Sequence, residues 1–282
     1  MSIVVQDITE ECPETDESPE TPTKYELAIG ALCKNESDSI LEWITHYLYH
    51  GVQHFYLIND ASTDNTVEII QPYIDSGIIT LFDARCEYFL GRQRFLYNKY
   101  ILPRVNAREM KWLMISDMDE YVWSQESRDL KDVFRQCCHL AQIQYNHTLF
   151  GSNGHIQQPT GGLVRNFTRR SQTRPTESIK NYKYAVNSAF KFESLNIHHA
   201  TASDEIYMKC EFFMQLGEPY FLMNHYSCQS LNFWNEVKCT RGDGDHYLVR
   251  DMEQFRRYDI NEVEDIELLE QNRDISGSPT LR

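Results

Sequence analysis

The chain has 282 residues, 41% of them hydrophobic and 24% charged, with a formal net charge of −15, a balance that suits one substantial core. The acidity is mostly terminal: residues 1–23 carry 7 acidic side chains and no Lys or Arg, residues 259–282 carry 7 against 2 Arg, and residues 24–258 are left at −3. A near-neutral body excludes general nucleic-acid binding, which needs a basic face, and no run approaches the roughly 20 apolar residues of a membrane span.

Residues 1–23, rich in Glu, Thr, Ser and Pro, read as a disordered tail that lacks both the basic start and the apolar stretch of a signal peptide. The folded domain is expected over 24–258, with a regular first half, 24–120, and a less regular second half, 121–258. Leu27 to Cys33 is a short continuous apolar run, the pattern of a strand covered on both faces. Ser37 or Asp38 can cap the following helix, whose apolar face is Ile40, Leu41, Ile44, Tyr47 and Leu48, and Gly51 ends it. His54 to Ile58 is a second strand, closed by the polar turn Asn59-Asp60-Ala61-Ser62-Thr63-Asp64, and a helix follows through Val67, Ile70 and Ile74. Ile78 to Phe82 is a third strand, residues 91–106 are helical, and Trp112 to Ser116 is a fourth strand that stops on Asp117-Met118-Asp119. Alternating strands and helices with short turns predict an α/β domain on a mostly parallel, Rossmann-like sheet, whose ligands bind beyond the carboxyl ends of the strands.

The second half is less regular. Leu140 to Thr148 and residues 184–192, 206–214 and 219–223 are strand-like, while 229–238 and 246–258 are helical. Residues 259–282 form an acidic C-terminal tail expected to pack loosely or fray. None of the eight cysteines forms a CxxC pair, and without a secretion signal they are expected to be reduced thiols.

Two carboxylates at i and i+2 past a buried strand suit Mg²⁺ or Mn²⁺, which take oxygen ligands and keep open positions for phosphate oxygens. Standing alone, such a triplet is weak evidence: it occurs often by chance, and a solvated turn explains it. Its position strengthens the metal reading, because Asp60 closes the second strand on the same rim, and Asn35 and Glu36 close the first. Asp and Asn in such turns also serve as caps. Tyr88, Phe89, Tyr145, Phe150 and Trp234 offer stacking faces for sugar rings, although aromatic residues mostly build cores.

The segments ALCKNESDSILEWITHYLYHGVQHFYLINDASTDNT, RQRFLYNKYI, KWLMISDMDEY, LFGSNGH and NHYSCQSLNFWNEVKCTRGDGD occur in an order that resembles glycosyltransferase family 92 and related family 2 sequences, over about residues 25–245. The resemblance implies a GT-A fold, with 24–120 as the nucleotide-binding half and 121–258 as the acceptor half. It implies an inverting, metal-dependent transfer from a UDP-sugar, galactose first and xylose or another pentose second, to a glycan or glycoprotein acceptor. It implies Asp117 and Asp119 as the metal motif, with Asp119 the direct ligand, and His225 as a third ligand; an imidazole favours Mn²⁺ over Mg²⁺. Asp60 and Asn35, with Glu36 beside it, are implied at the nucleoside, and Arg94 and Asn98, four apart on one helical face, at the sugar or diphosphate. Lys238 and Arg241 are implied over the diphosphate, their alternative being ordinary surface charge. The catalytic base is not fixed: Asp204 and Glu205 are the first candidates, Glu177 and Glu193 compete, and His155 is expected on the acceptor side. Relatives of this type usually carry a membrane anchor, so a chain without one is expected in the cytoplasm, in a bacterial or viral setting. A noncatalytic glycan- or nucleotide-binding protein on the same scaffold is the alternative from another class.

Overall fold

The computed structural model describes residues 22–84, 88–174, 182–202, 213–241 and 249–276. Its first half follows the predicted alternation. β1 (Tyr25–Cys33), β2 (His54–Asn59), β3 (Ile79–Asp83) and β4 (Met110–Ile115) pair in parallel, and α1 (Ile40–Tyr49), α2 (Thr66–Asp75), α3 (Arg92–Tyr100) and α4 (Leu102–Asn106) make the connections. Alternate residues of β1 explain the three layers. Leu27, Ile29, Ala31 and Cys33 join a core with Trp43, Ile44 and Tyr47 of α1, while Ala28 joins Leu96, Tyr97 and Ile101 on the opposite face. Side chains of a strand alternate between faces, so a run buried on both must be apolar throughout. Gly30 is needed where the second layer comes closest: a Cβ there would lie 2.9 Å from Ile101 Cδ1 and 3.2 Å from Ile115 Cδ1.

The helix expected over 91–106 is two helices. The chain restarts at Leu102 with Pro103 in the first turn of α4, where a missing amide costs no hydrogen bond.

The second half extends the same sheet with mixed direction. β5 (Glu120–Trp123), β6 (Gln142–Leu149), β8 (Tyr182–Asn187), β11 (Phe213–Gln215) and β12 (Leu222–His225) complete it, in the order β3-β2-β1-β4-β8-β6-β12-β5 with β11 beside β6. Outside it lie β7 (Arg169–Arg170) and the antiparallel pair β9 (Phe192–Leu195) and β10 (Ala200–Ala202). β8 runs antiparallel to both β4 and β6, whereas β12 is parallel to β6 and antiparallel to β5. The result is a mixed, mostly parallel sheet with surrounding helices, a GT-A, Rossmann-like domain.

The strand expected over 184–192 ends at Asn187, whose amide donates to the carbonyls of Cys138 and Leu140 and turns the chain away. The helix expected from 246 begins at Met252, where Asp251 and Gln254 form a capping box.

The C-terminal segment does not fray over its described length. Val263–Glu264 pairs with Arg169–Arg170, Leu268 is buried, and Asn272 reaches His50 Nε2 at 2.8 Å. Its acidity has partners: Asp265 accepts from Arg170 at 2.5 Å and from Arg174 at 2.6 Å. The expectation of reduced thiols throughout also needs correction. Cys33, Cys137, Cys228 and Cys239 are free, but Cys138 is disulfide-bonded, and such bonds persist in oxidising surroundings. No helix among the described residues is long and apolar enough to cross a membrane.

Candidate active site

The rim of the sheet carries a cavity of about 540 Å³, the size of a small-molecule site. Of the residues singled out in the sequence, it is lined by Glu36, Asp60, Asp117, Asp119, His225, Lys238 and Arg241.

Helix α1 sets the carboxylate turn. Trp43 and Tyr47, one helical turn apart on its buried face, both reach it. The Trp43 indole donates to the carbonyls of Asp117 and Glu120 at 3.0 and 3.1 Å, and the Tyr47 hydroxyl donates to the Glu120 carbonyl at 2.9 Å. From the other side, Tyr226 donates its amide to the Asp119 carbonyl at 2.8 Å. A turn held this way has its side chains aimed before any ligand arrives.

Asp119 Oδ1 lies 3.4 Å from His225 Nε2, and Oδ2 lies 2.9 Å from Lys238 Nζ. Burial pushes the Asp119 carboxyl upward, but the opposing charge of Lys238 leads the interactions that hold it well below the usual carboxylate range. Both oxygens of Asp117 are engaged as well, with Oδ2 at 2.8 Å from Lys183 Nζ and Oδ1 at 3.4 Å from Gln93 Nε2.

Glu120 sits behind both. Its Oε2 accepts the Asp117 amide at 2.7 Å and lies 3.6 Å from Lys183, and its Oε1 is 3.2 Å from His147 Nε2. Burial raises the Glu120 carboxyl, yet Lys183 and then His147 bring it below its ordinary value. Lys183 is itself fully buried; burial lowers its pKa, and Asp117 and Glu120 more than restore it, so it stays charged. Glu120, His147 and His225 bring one donor atom each to within 4.8 Å of one another, a candidate metal-ligating cluster. The donor set of carboxylates and imidazoles fits a divalent cation such as Mn²⁺.

Where β2 ends on the cavity, Asp60 is 3% exposed and accepts from Arg92 at 2.5 Å and from the Tyr88 hydroxyl at 2.9 Å. Arg241 donates to the Lys34 carbonyl at 2.7 Å and to Glu36 at 3.2 Å, so the segment after the helical turns Leu231–Lys238 closes over the first strand's turn. Burial raises the Glu36 carboxyl, against Arg241.

Other expected residues lie elsewhere. Asn35 knits two turns together, its Oδ1 accepting the Thr63 amide at 2.7 Å. Arg94 and Asn98 do share a face of α3, but it looks away from the cavity; Asn98 exchanges hydrogen bonds with the Leu195 backbone at 2.8 and 2.9 Å. The α3 residues that do reach the site are Arg92 and Gln93. His155 contacts the Asn166 carbonyl at 3.2 Å. Tyr145, Phe150 and Trp234 are core, whereas Tyr88 lines the cavity. Asp204, Glu205 and Glu177 lie outside the described residues.

The model of glycosyltransferase family 92 matches residues 29–266, a span that holds every described residue of this cavity. The chain belongs to glycosyltransferase family 92. A family 92 protein of Ricinus communis is 22% identical over 240 residues, covering 76% of this chain and 36% of its own length. One of Oryza sativa subsp. japonica is 21% identical over 222 residues, covering 73% and 34%. This family 92 chain thus spans about a third of the curated relatives it matches. Among solved structures, residues 1–349 of S. aureus TarS in complex with UDP-GlcNAc overlap with a TM-score of 0.44 at 13% identity, covering 91% of this chain and 74% of that one. HddC from Yersinia pseudotuberculosis overlaps at 0.37 with 13% identity, covering 70% and 92%.

His147, Lys183 and Glu120 were not singled out in the sequence. His147 had a signal: it follows Ile143 and Tyr145 on the core face of β6, where an imidazole replaces an apolar side chain at the strand's end.

Proposed function

We propose that this family 92 protein transfers a sugar from a UDP-sugar to a glycan acceptor, with inversion and with the help of a divalent cation. The observation that carries the reading is Asp119 facing His225 at 3.4 Å on the rim that also holds Asp60. Asp119 and His225 would hold the cation, with Asp117 beside them. When bound, it would offset the charge that develops on the departing diphosphate.

The chain's own residues supply the rest. Lys238 and Arg241 face the cavity from the closing segment and add positive charge where the diphosphate would leave. Asp60, fixed by Arg92 and Tyr88, offers carboxylate oxygens to the nucleoside. Inversion requires one group to take the acceptor hydroxyl's proton as it attacks the anomeric carbon. His198 lines the cavity and donates Nδ1–H to the Tyr182 carbonyl at 2.9 Å, which leaves Nε2 as its accepting nitrogen. The carboxylates Asp204 and Glu205 are the other candidates for this step.

A panel of nucleotide sugars headed by UDP-galactose and UDP-xylose, assayed for nucleoside diphosphate release with and without Mn²⁺, tests the proposal. Release from one donor, dependent on Mn²⁺ and absent in Asp119→Ala, is the expected result. Binding of a nucleotide sugar without turnover of any donor, across a range of glycan acceptors, would favour the noncatalytic binding protein.

A further inference from the structure

The three residues behind Asp119 stand in a fixed order. Glu120 pairs with His225 across the β5–β12 ladder, and β6 places His147 beside them. Glu120 Oε1 lies 3.2 Å from His147 Nε2, and His147 Nδ1 lies 3.1 Å from His225 Nδ1. His225 then presents Nε2 to Asp119 at 3.4 Å. Glu120 is 0% and His147 6% exposed, so solvent does not compete for the Glu120 carboxylate or the His147 ring nitrogens. The Glu120–His147 contact is close but not aligned as a hydrogen bond, and among the described residues neither Glu120 Oε1 nor His147 Nε2 has a hydrogen-bond partner, so each is the nearest polar atom left for the other.

Counting protons along the row gives one neutral solution. An ionised Glu120 can only accept, so His147 carries its proton on Nε2 and keeps a lone pair on Nδ1. His225 Nδ1, facing that lone pair, must donate. Its own lone pair is then on Nε2, turned toward the Asp119 carboxylate. Two accepting atoms 3.4 Å apart oppose each other, and a cation shared between them removes the opposition. A carboxylate or a second polar group behind a histidine is the general means of fixing which ring nitrogen is free to ligate.

We propose that Glu120 and His147 are a positioning pair that locks His225 in its Nδ1–H tautomer and so aims the Nε2 lone pair at the Asp119 side of the cavity. The inference rests on the reading of Asp119 and His225 as cation ligands. Of the cluster Glu120, His147 and His225, it leaves only His225 as a ligand, acting with Asp119, and makes His147 a positioning residue that does not itself touch the ion.

The test uses the full chain, labelled with ¹⁵N-histidine and free of metal. Long-range ¹H–¹⁵N spectra report the tautomer of each ring; the expected result is Nδ1–H at His225. His147→Asn places an amide oxygen about where Nδ1 stood and keeps that tautomer, whereas His147→Leu removes the acceptor and lets Nε2–H appear. Titration of Mn²⁺ followed by electron paramagnetic resonance should show affinity falling roughly 10–100-fold in His147→Leu and staying within about threefold of wild type in His147→Asn. Nε2–H at His225 in the unmodified protein overturns the proposal, and this readout needs no variant to fold. So does wild-type affinity in a folded His147→Leu, or equal loss in both variants, which would make His147 a direct ligand. A wild-type protein that shows the Nδ1–H tautomer but binds no Mn²⁺ would support the positioning role while defeating the metal reading.

Discussion

Lys183→Met isolates the electrostatics on which the site is built. The substitution keeps an unbranched apolar stem and removes an ammonium that lies 2.8 Å from Asp117 and 3.6 Å from Glu120 in a fully buried position. At an effective dielectric of about 20 those two attractions come to roughly 6 and 5 kcal/mol, and desolvation of the ammonium offsets several kcal/mol of them. What the variant suffers is the carboxylates left behind without a counter-charge, for which a loss of about 3–5 kcal/mol is expected. The pH dependence gives a second check. In the wild type Glu120 is held below its unfolded value, so its contribution is present above that value and is lost as pH falls. Without Lys183 burial dominates, the Glu120 pKa rises, and protonation relieves the variant in acid. The gap in unfolding free energy should therefore be largest at about pH 7.5 and should narrow toward pH 5. Urea denaturation at both pH values measures it. A loss below about 1 kcal/mol, or a gap that widens in acid, would refute the reasoning.

Two further outcomes follow from the packing. Gly51 has φ +91°, and a Cβ there would collide with the Asp129 carboxylate that caps the helix Leu130–Gln136; Gly51→Ala should cost about 2–3 kcal/mol in urea unfolding. His54 is 3% exposed, with Nε2 at 2.8 Å from Thr80 Oγ1, and burial together with Lys24 brings its pKa down to about 4. The unfolded chain therefore binds the proton first, and this contribution to stability is present above about pH 6.5 and lost as pH falls toward 4. Comparing wild type with His54→Phe across that range should expose a difference that shrinks by about 1–2 kcal/mol in acid, the figure being reduced for partial solvent screening.

The readable part of this sequence is the part where burial is simple. β1 to β4 are covered on both faces, so their apolar runs and the turns after them placed Asp60, Asp117 and Asp119 on one rim. α3 defeated the same logic because Arg92, Gln93, Arg94 and Asn98 are all polar, and only the tertiary fold decides that the face with Arg92 and Gln93 turns inward. In β6, Gln142, Gln144, Asn146, His147 and Thr148 are all buried, so neither alternation nor hydrophobicity marks the strand as central. Lys183 was invisible for a related reason. A buried lysine is tolerated only with partners, here Asp117 and Glu120, which lie more than 60 positions earlier in the chain. The C-terminal acids misled in the opposite direction: residues 259–282 read as a loosely packed or fraying tail, whereas Asp265 is buried with Arg170 and Arg174 as its partners.

The most direct test of the account is calorimetric titration of UDP into the protein with and without Mn²⁺, repeated for Asp119→Asn. The account predicts UDP binding in the wild type tighter than about 0.1 mM when Mn²⁺ is present, at least roughly tenfold weaker without the ion, and insensitive to the ion in the variant. UDP binding that is unchanged by Mn²⁺ in the wild type, or no binding under either condition, would contradict it.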